Sequence, residues 1–325
     1  MYWYYKYILV AAALIGIGLG VYKVLPQEWL KSSPSSPVED NDSQEPAQTP
    51  TLESNQARTE KEKYTPTASS KNTNAVKTIN KKTVVSSPKF SEKLKQGTEL
   101  KNKGMLDSAY NILIEALEHS EPYSDDWIKA AQLISEINVY IYKNAVPSKR
   151  KQSHTVKSGQ SLWDFAAENT TIRAVQISNK IPIESSVIHV NQVLTFFGGQ
   201  WEIKASKSHY ALQLLLDGKL FRFYNIGIGK DNRTPFGEFF ISGKKREPSW
   251  KGYPFGHPEN VLGTRWMRLT KISDGSNEGY GIHGTSEPES IGTASSLGCI
   301  RMRNEDVEEL FNFIPDNKIK VTIED

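Results

Sequence analysis

Hydrophobic and polar positions follow three rhythms along the 325 residues, and each predicts a different kind of structure. The first is unbroken. From Tyr7 to Tyr22 no charged residue interrupts Tyr-Ile-Leu-Val-Ala-Ala-Ala-Leu-Ile-Gly-Ile-Gly-Leu-Gly-Val-Tyr, and Trp3-Tyr4-Tyr5 and Val24-Leu25 extend it on either side. A helix of about 20 apolar residues spans a bilayer. Residues 1–25 are therefore expected to be a transmembrane anchor, with Lys6 and Lys23 able to snorkel. No small-x-small cleavage site follows, which separates the run from a removed signal peptide. The next stretch, 26–88, has no rhythm. From Lys31 onward Ser, Thr, Pro, Glu, Asn, Gln and Lys dominate, and Tyr64 is the only aromatic between Trp29 and Phe90. Such a chain cannot bury enough apolar surface to offset its ordering entropy, so a disordered linker is expected. About 58 residues of it would span roughly 40–45 Å root-mean-square.

Over 89–147 the period is helical. Leu94, Leu100, Met105, Tyr110, Leu113, Ala116 and Leu117 share one face with a break at Gly104, and Trp127, Ile128, Ala131, Ile134, Ile137 and Ile141 follow Pro122. The pattern predicts a helical hairpin that spaces the linker from the next domain. The intervals among Gly104, Ala109 and Ala116 resemble a tetratricopeptide-type hairpin, in which small residues let helices approach.

From Trp201 the period is two. Ala211–Asp217 and Leu220–Ile226 alternate around Asp217-Gly218, a hairpin turn. Gly237-Glu-Phe-Phe-Ile-Ser, Trp266-Met-Arg-Leu, Gly281-Ile-His and Lys318-Ile-Lys-Val-Thr-Ile add strands. One helix, read as capped at Asn304, places Val307, Leu310, Phe311 and Ile314 on one face. The chain is thus expected to be multidomain, ending in a mainly β sandwich or barrel with one helix.

Composition narrows the chemistry. Net charge is +3 with 24% charged residues of both signs, and no nucleic-acid motif appears, so nucleic acid is not an expected partner. One cysteine excludes an internal disulfide and cysteine-rich zinc sites, and the six histidines show no metal-ligand spacing. No metal or cofactor is expected. The lone thiol, Cys299, lies sixteen residues after His283, each in a short apolar segment beside glycine. A thiol is nucleophilic as thiolate, and a histidine within reach can take its proton and return it to a leaving amine. A buried core cysteine is the alternative reading.

Two resemblances give this pair a setting. Residues 152–198 resemble a LysM module through His154-Thr-Val-Lys-Ser-Gly159-Gln-Ser161-Leu162-Trp163-Asp-Phe165, Val175-Gln-Ile177-Ser-Asn179 and Ile188-His-Val-Asn191-Gln192-Val193-Leu194. The stretch reads as strand, two helices, strand. The resemblance implies binding to glycans containing N-acetylglucosamine, chiefly peptidoglycan and chitin. Asn191 replaces a usual glycine, but asparagine also tolerates the left-handed turn. Trp163 is assigned to the small core, and the turn after Gly159 and the loop after Asn179 to ligand.

Residues 200–325 resemble the L,D-transpeptidase catalytic domain, also called YkuD. The marks are Thr234-Pro235-Phe-Gly237-Glu-Phe239, Leu262-Gly263-Thr-Arg265-Trp266-Met, Gly281-Ile-His283-Gly284-Thr285 and Ser296-Leu-Gly298-Cys299-Ile300-Arg301-Met302, in family order. The resemblance implies crosslinking of peptidoglycan stem peptides through a cysteine acyl-enzyme: Cys299 as nucleophile, His283 as base, and a backbone carbonyl, assigned to Gly284, orienting the imidazole. The amides of Gly298 and Cys299 are expected to face the developing oxyanion, with Ser296 fixing the loop. Arg301 is expected to meet a donor carboxylate or brace the loop, since guanidinium pairs bidentately with carboxylate. Tyr253, in the Gly/Pro-rich stretch Trp250–Pro258, is a substrate-binding candidate on a flap. Many family members carry histidine at Leu297. L,D-carboxypeptidase, protein attachment to peptidoglycan and a non-catalytic wall-binding scaffold stay open. A papain-like protease does not fit, because its cysteine precedes its histidine and opens a helix. The expected placement is a single-pass membrane protein with its catalytic domain outside the cytoplasm.

Overall fold

The computed structural model describes residues 86–165, 169–315 and 319–325, all within one unit of contacting elements. The anchor expected at 1–25 and nearly all of the linker at 26–88 lie outside the described residues. Among the described residues no helix is long and apolar enough to cross a membrane.

Three helices come first: α1 (Pro88–Asn102), α2 (Leu106–Leu117) and α3 (Asp125–Lys143). Pro88 opens α1, where its missing N–H has no partner to lose. Gly104, at φ 74°, makes the break between α1 and α2. Ser124 Oγ accepts from Trp127 N–H at 3.2 Å and caps α3, with Asp125 and Asp126 in its first turn. The spacing predicts a helical hairpin between the linker and the next domain. The region is three helices, and the face of α3 with Trp127, Ala131, Ile134, Ile137 and Ile141 joins the core of the sheet below.

A small unit follows. Strand β1 (Gln152–Thr155) pairs antiparallel with β2 (Val193–Phe196), and between them lie α4 (Leu162–Phe165) and α5 (Ile172–Ser178). Val156, Leu162, Phe165, Val175, Leu194 and Phe196 form its own core. Asn191 takes φ 68°. Trp163 is not in that core. It is 76% exposed, because its neighbours Leu162 and Phe165 on the single helical turn take the inward positions.

The remaining strands are β3 (Trp201–Ser206), β4 (Ala211–Leu216), β5 (Lys219–Asn225), β6 (Ile228–Gly229), β7 (Gly237–Arg246), β8 (Arg265–Lys271), β9 (Gly281–His283), β10 (Ala294–Ser296) and β11 (Ile300–Arg301), then helix α6 (Asn304–Phe313) and β12 (Lys320–Glu324). Eight of them make one mixed sheet in the order β11-β9-β8-β7-β12-β3-β4-β5, and β6 pairs with β10 apart from it. Asp217 and Gly218, at φ 51° and 74°, turn β4 into β5 as the dipeptide predicts. At the far end Arg301 exchanges both backbone hydrogen bonds with Gly227, just beyond β5, at 2.8 and 2.9 Å. The two ends of the sheet therefore meet, and the sheet curls toward a barrel.

A free edge invites pairing with other chains. Here α3 covers β5. Asn138 Nδ2 donates to the Phe221 carbonyl at 2.7 Å, Phe223 N–H donates to Ser135 Oγ at 2.9 Å, and Tyr110 OH donates to the Leu220 carbonyl at 3.4 Å.

Register separates the two faces of the sheet. Paired residues on neighbouring strands share a face, so Lys245, Trp266, His283 and Arg301 form one row across four strands. Lys244, Met267, Ile282 and Ile300 form the adjacent row on the opposite face. Met267, Ile282 and Ile300 are buried with Val307 and Leu310 of α6, which makes the second face the core side and leaves the first to the chemistry.

Candidate active site

His283 ends β9 and is 3% exposed. Its Nδ1 lies 2.5 Å from the Gly284 carbonyl oxygen. A carbonyl only accepts, so Nδ1 carries the proton and the neutral ring keeps its lone pair on Nε2. The ring lies tilted against Trp266, centroids 5.7 Å apart. Burial pushes its pKa down to about 4, with Arg301 adding to the shift, while the carbonyls of Gly284 and Leu262 pull the other way. The imidazole is thus an unprotonated base at neutral pH.

Cys299 stands just before β11, two residues from Arg301 and so on the same face as Arg301 and His283. β9 and β11 are parallel neighbours, a separation of about 4.8 Å. The residue is half-buried, and its Sγ lies 3.8 Å from the Gly279 carbonyl. Withdrawal from water pushes the thiol up to about 11, with a hydrogen bond from the Gly281 backbone and the Arg301 charge opposing. Both shifts favour a thiol and a neutral imidazole at rest over a thiolate–imidazolium ion pair.

The loop before Cys299 is held from two sides. Ser296 is buried, and its Oγ accepts from Gly298 N–H at 3.1 Å while donating to the Cys299 carbonyl at 2.7 Å. This corrects one expectation: the Gly298 amide is spent on Ser296 and does not face an oxyanion. Thr234 Oγ1 donates to the Gly298 carbonyl at 2.9 Å and accepts from Gly229 N–H at 2.7 Å. Gly298 sits at φ 138°, and a Cβ there would stand 2.5 Å from the Tyr280 ring, so glycine is required twice over.

Arg301 does not wait empty. Its Nη1 donates to Glu287 Oε2 at 2.7 Å, while its buried Nε has no partner among the described residues. Tyr253 lies in the loop between β7 and β8. Its backbone pairs with Trp250 in both directions and its ring stacks on His257 at 4.5 Å. No hydrogen bond or ring contact joins it to Cys299 or His283. The structure therefore gathers His283, Gly284, Ser296, Gly298, Cys299 and Arg301, and leaves Tyr253 outside the group.

Asn304 is the residue that sequence reasoning misplaces. Its side chain does not cap α6. Oδ1 accepts from Thr264 N–H and Thr285 N–H at 3.2 Å each, and Nδ2 donates to the Thr285 carbonyl at 3.0 Å. A Cβ on Gly263 or Gly284 would run into Oδ1. Asn304 thus ties together the two loops around His283. The signal was present in Gly263, Gly284 and Asn304 but reads only in three dimensions. Asn304→Ala leaves two backbone N–H groups unpaired, at about 1–3 kcal/mol each. A lowered melting temperature and a kcat reduced about tenfold are expected from a thermal melt and a turnover assay.

Known proteins are similar to parts of this chain. Residues 200–323 match the family model of the L,D-transpeptidase catalytic domain, YkuD. YqjB of Bacillus subtilis is 44% identical over 108 residues, 32% of this chain and 60% of that protein. YkuD of Bacillus licheniformis is 33% identical over 177 residues, 52% of this chain and 97% of that protein. The NMR structure of the catalytic domain from the E. faecium L,D-transpeptidase is 25% identical with a TM-score of 0.31, covering 38% of this chain and 96% of that one. The chain thus spans three fifths of the first relative and nearly all of the second.

Proposed function

The chain belongs to the L,D-transpeptidase (YkuD) family, and from that premise we propose that it is a peptidoglycan L,D-transpeptidase acting through a Cys299 acyl-enzyme. The observation that carries the reading is that Cys299 immediately precedes β11, the parallel neighbour of the strand that ends in His283, with the imidazole oriented by Gly284. Sγ attacks the carbonyl joining the third residue of a donor stem, a diamino acid, to its terminal D-alanine. His283 Nε2 takes the thiol proton as the S–C bond forms and delivers it to the D-alanine nitrogen as the C–N bond breaks. A thioester remains. The side-chain amine of a second stem attacks it and gives a proton to His283, which returns that proton to the departing thiolate. The products are a 3-3 crosslink, free D-alanine and free Cys299.

The Cys299 amide is assigned to the developing oxyanion, a donor worth about 3 kcal/mol in such sites. Arg301 takes the donor carboxylate by exchanging it for Glu287. Water as acceptor makes the same site an L,D-carboxypeptidase, and a protein amine makes it an attachment enzyme. A non-catalytic scaffold is disfavoured by the retention of both Cys299 and His283.

The 152–198 unit is proposed as a LysM module holding the glycan. Its strand–helix–helix–strand order supports this, as do the exposed Ile183, Val187 and Val190 after Asn179. Residues 1–25 are proposed to anchor the chain in the membrane with the catalytic domain outside the cytoplasm. Purified sacculi incubated with the protein, digested and weighed as muropeptides, should show 3-3 dimers and shortened stems. An unchanged muropeptide profile would sink the proposal.

A further inference from the structure

We propose that a cleft between the 152–198 unit and the core-side face of the catalytic sheet binds carboxylate groups of the peptidoglycan strand, at a distance from the reacting pair. The inference rests on the peptidoglycan reading above. The cleft encloses about 770 Å³, within the range of roughly 300–1,000 Å³ that small-molecule sites occupy. One wall is Trp163, Thr170 and Arg173. The other is Lys244 and Arg246 of β7 with Phe311 of α6. Lys244 and Arg246 alternate with Lys245, so they face away from the His283 row. The cleft and the thiol therefore open on opposite faces of one sheet.

The lining has one sign of charge. Three cations line it, and among the described residues no Asp or Glu does. Arg246 and Arg265 lie over the Phe311 ring, their guanidinium carbons 5.5 and 5.6 Å from its centroid. Both press on Arg173 as like charges, while Glu184, outside the lining, draws the other way. Lys244 is engaged already, donating to the carbonyls of Phe311 at 2.9 Å and Ile314 at 2.6 Å. The donors left over are on the opposite wall. Thr170 is 1% exposed, and among the described residues neither its Oγ1 nor the buried Arg173 Nη1 has a partner. Buried polar atoms are nearly always paired, so these two donors on one wall are available to a ligand.

The chemistry of that ligand follows from the lining. Guanidinium groups offer only donors, the threonine hydroxyl offers one more, and a planar pair of acceptor oxygens suits the guanidinium fork. Trp163 stands exposed at the rim, a flat apolar face on which a sugar ring can lie. A neutral glycan would bring no anionic partner to Arg173 and Arg246, whose lining holds none. A carboxylate-bearing glycopeptide uses both features, and stem peptides carry such groups beside their sugars. Held there, the polymer bridges the 152–198 unit and the catalytic sheet, which keeps stems near Cys299 without contact between the cleft and the chemistry.

The test is cosedimentation of the full chain with three preparations of sacculi: native, stripped of phosphate polymers, and stripped with carboxylates converted to amides. Arg173→Gln combined with Arg246→Gln should weaken binding to the stripped sacculi about tenfold and match wild type on the amidated ones. Trp163→Ala, a change at an exposed position, should weaken binding to both. Each variant should still form the Cys299 acyl-enzyme with a soluble tetrapeptide, which also reports folding. Wild-type binding by the double variant, indifference of the wild type to amidation, or binding lost on removing phosphate polymers would each overturn the proposal. Failure of the wild type to acylate at all would count instead against the transpeptidase reading, whatever the cleft binds.

Discussion

Cys299→Ala is expected to lose acyl transfer by at least about 10⁴-fold in kcat, the scale of removing a covalent nucleophile. No other residue can supply a thiol, since Cys299 is the only cysteine in the chain. The fold should tolerate the change. The side chain is half-buried, and its polar contacts are a long hydrogen bond to the Gly279 carbonyl and one from the Gly281 backbone, so the stability cost should stay below about 2 kcal/mol. The surrounding loop is held by groups that alanine leaves alone: Ser296 Oγ on the Cys299 carbonyl and Thr234 on Gly298. An unchanged melting temperature with lost turnover, measured on one preparation, separates chemistry from folding.

His283→Ala is expected to lower kcat by about 10³-fold at neutral pH, the usual worth of a positioned general base. The size follows from the electrostatics of the pair. With the thiol pushed up to about 11, almost no thiolate is present at neutral pH, so the proton must leave during attack and the imidazole must take it. In the wild type the ring protonates only near pH 4, so kcat/KM should hold down to that range and fall below it. The variant should instead gain rate steadily with rising pH, as hydroxide does the base's work. Stability carries a second signature. The folded pKa lies below the ordinary 6.5, so the unfolded chain binds the proton first. Folding stability is full above pH 6.5 and is lost as pH falls toward 4, by about 3 kcal/mol. His283→Ala should remove that part of the acid sensitivity in denaturant titrations at pH 7 and pH 4.

How much of this the sequence already held depends on the range of the interactions. The Asp217-Gly218 hairpin, the long strands β4, β5, β7 and β8 and the buried face of α6 follow from local alternation and turn chemistry. Strands β6, β10 and β11, two or three residues each, carry no readable period, because distant partners define them. The same holds for α3 on the sheet edge. Ser135 and Asn138 sit among apolar positions of a helical stripe, and only the structure pairs them with Phe223 and Phe221. At the site, His283 and Cys299 were legible because their chemistry is rare in this chain. The Gly298 amide and Asn304 were not, because each has a partner fixed by tertiary contact: Ser296 Oγ for one, the Thr264 and Thr285 amides for the other. Trp163 went the opposite way, out of a core too small to hold it and into the wall of the cleft.

Intact-protein mass after incubation with a soluble tetrapeptide donor, with Cys299→Ala alongside, tests the central claim most directly. The wild type should gain the mass of the donor less one free D-alanine, the gain should map to the peptide holding Cys299, and the variant should gain nothing. An equal gain on the variant, or a wild-type adduct on any other residue, would contradict the assignment of Cys299 as the acyl carrier.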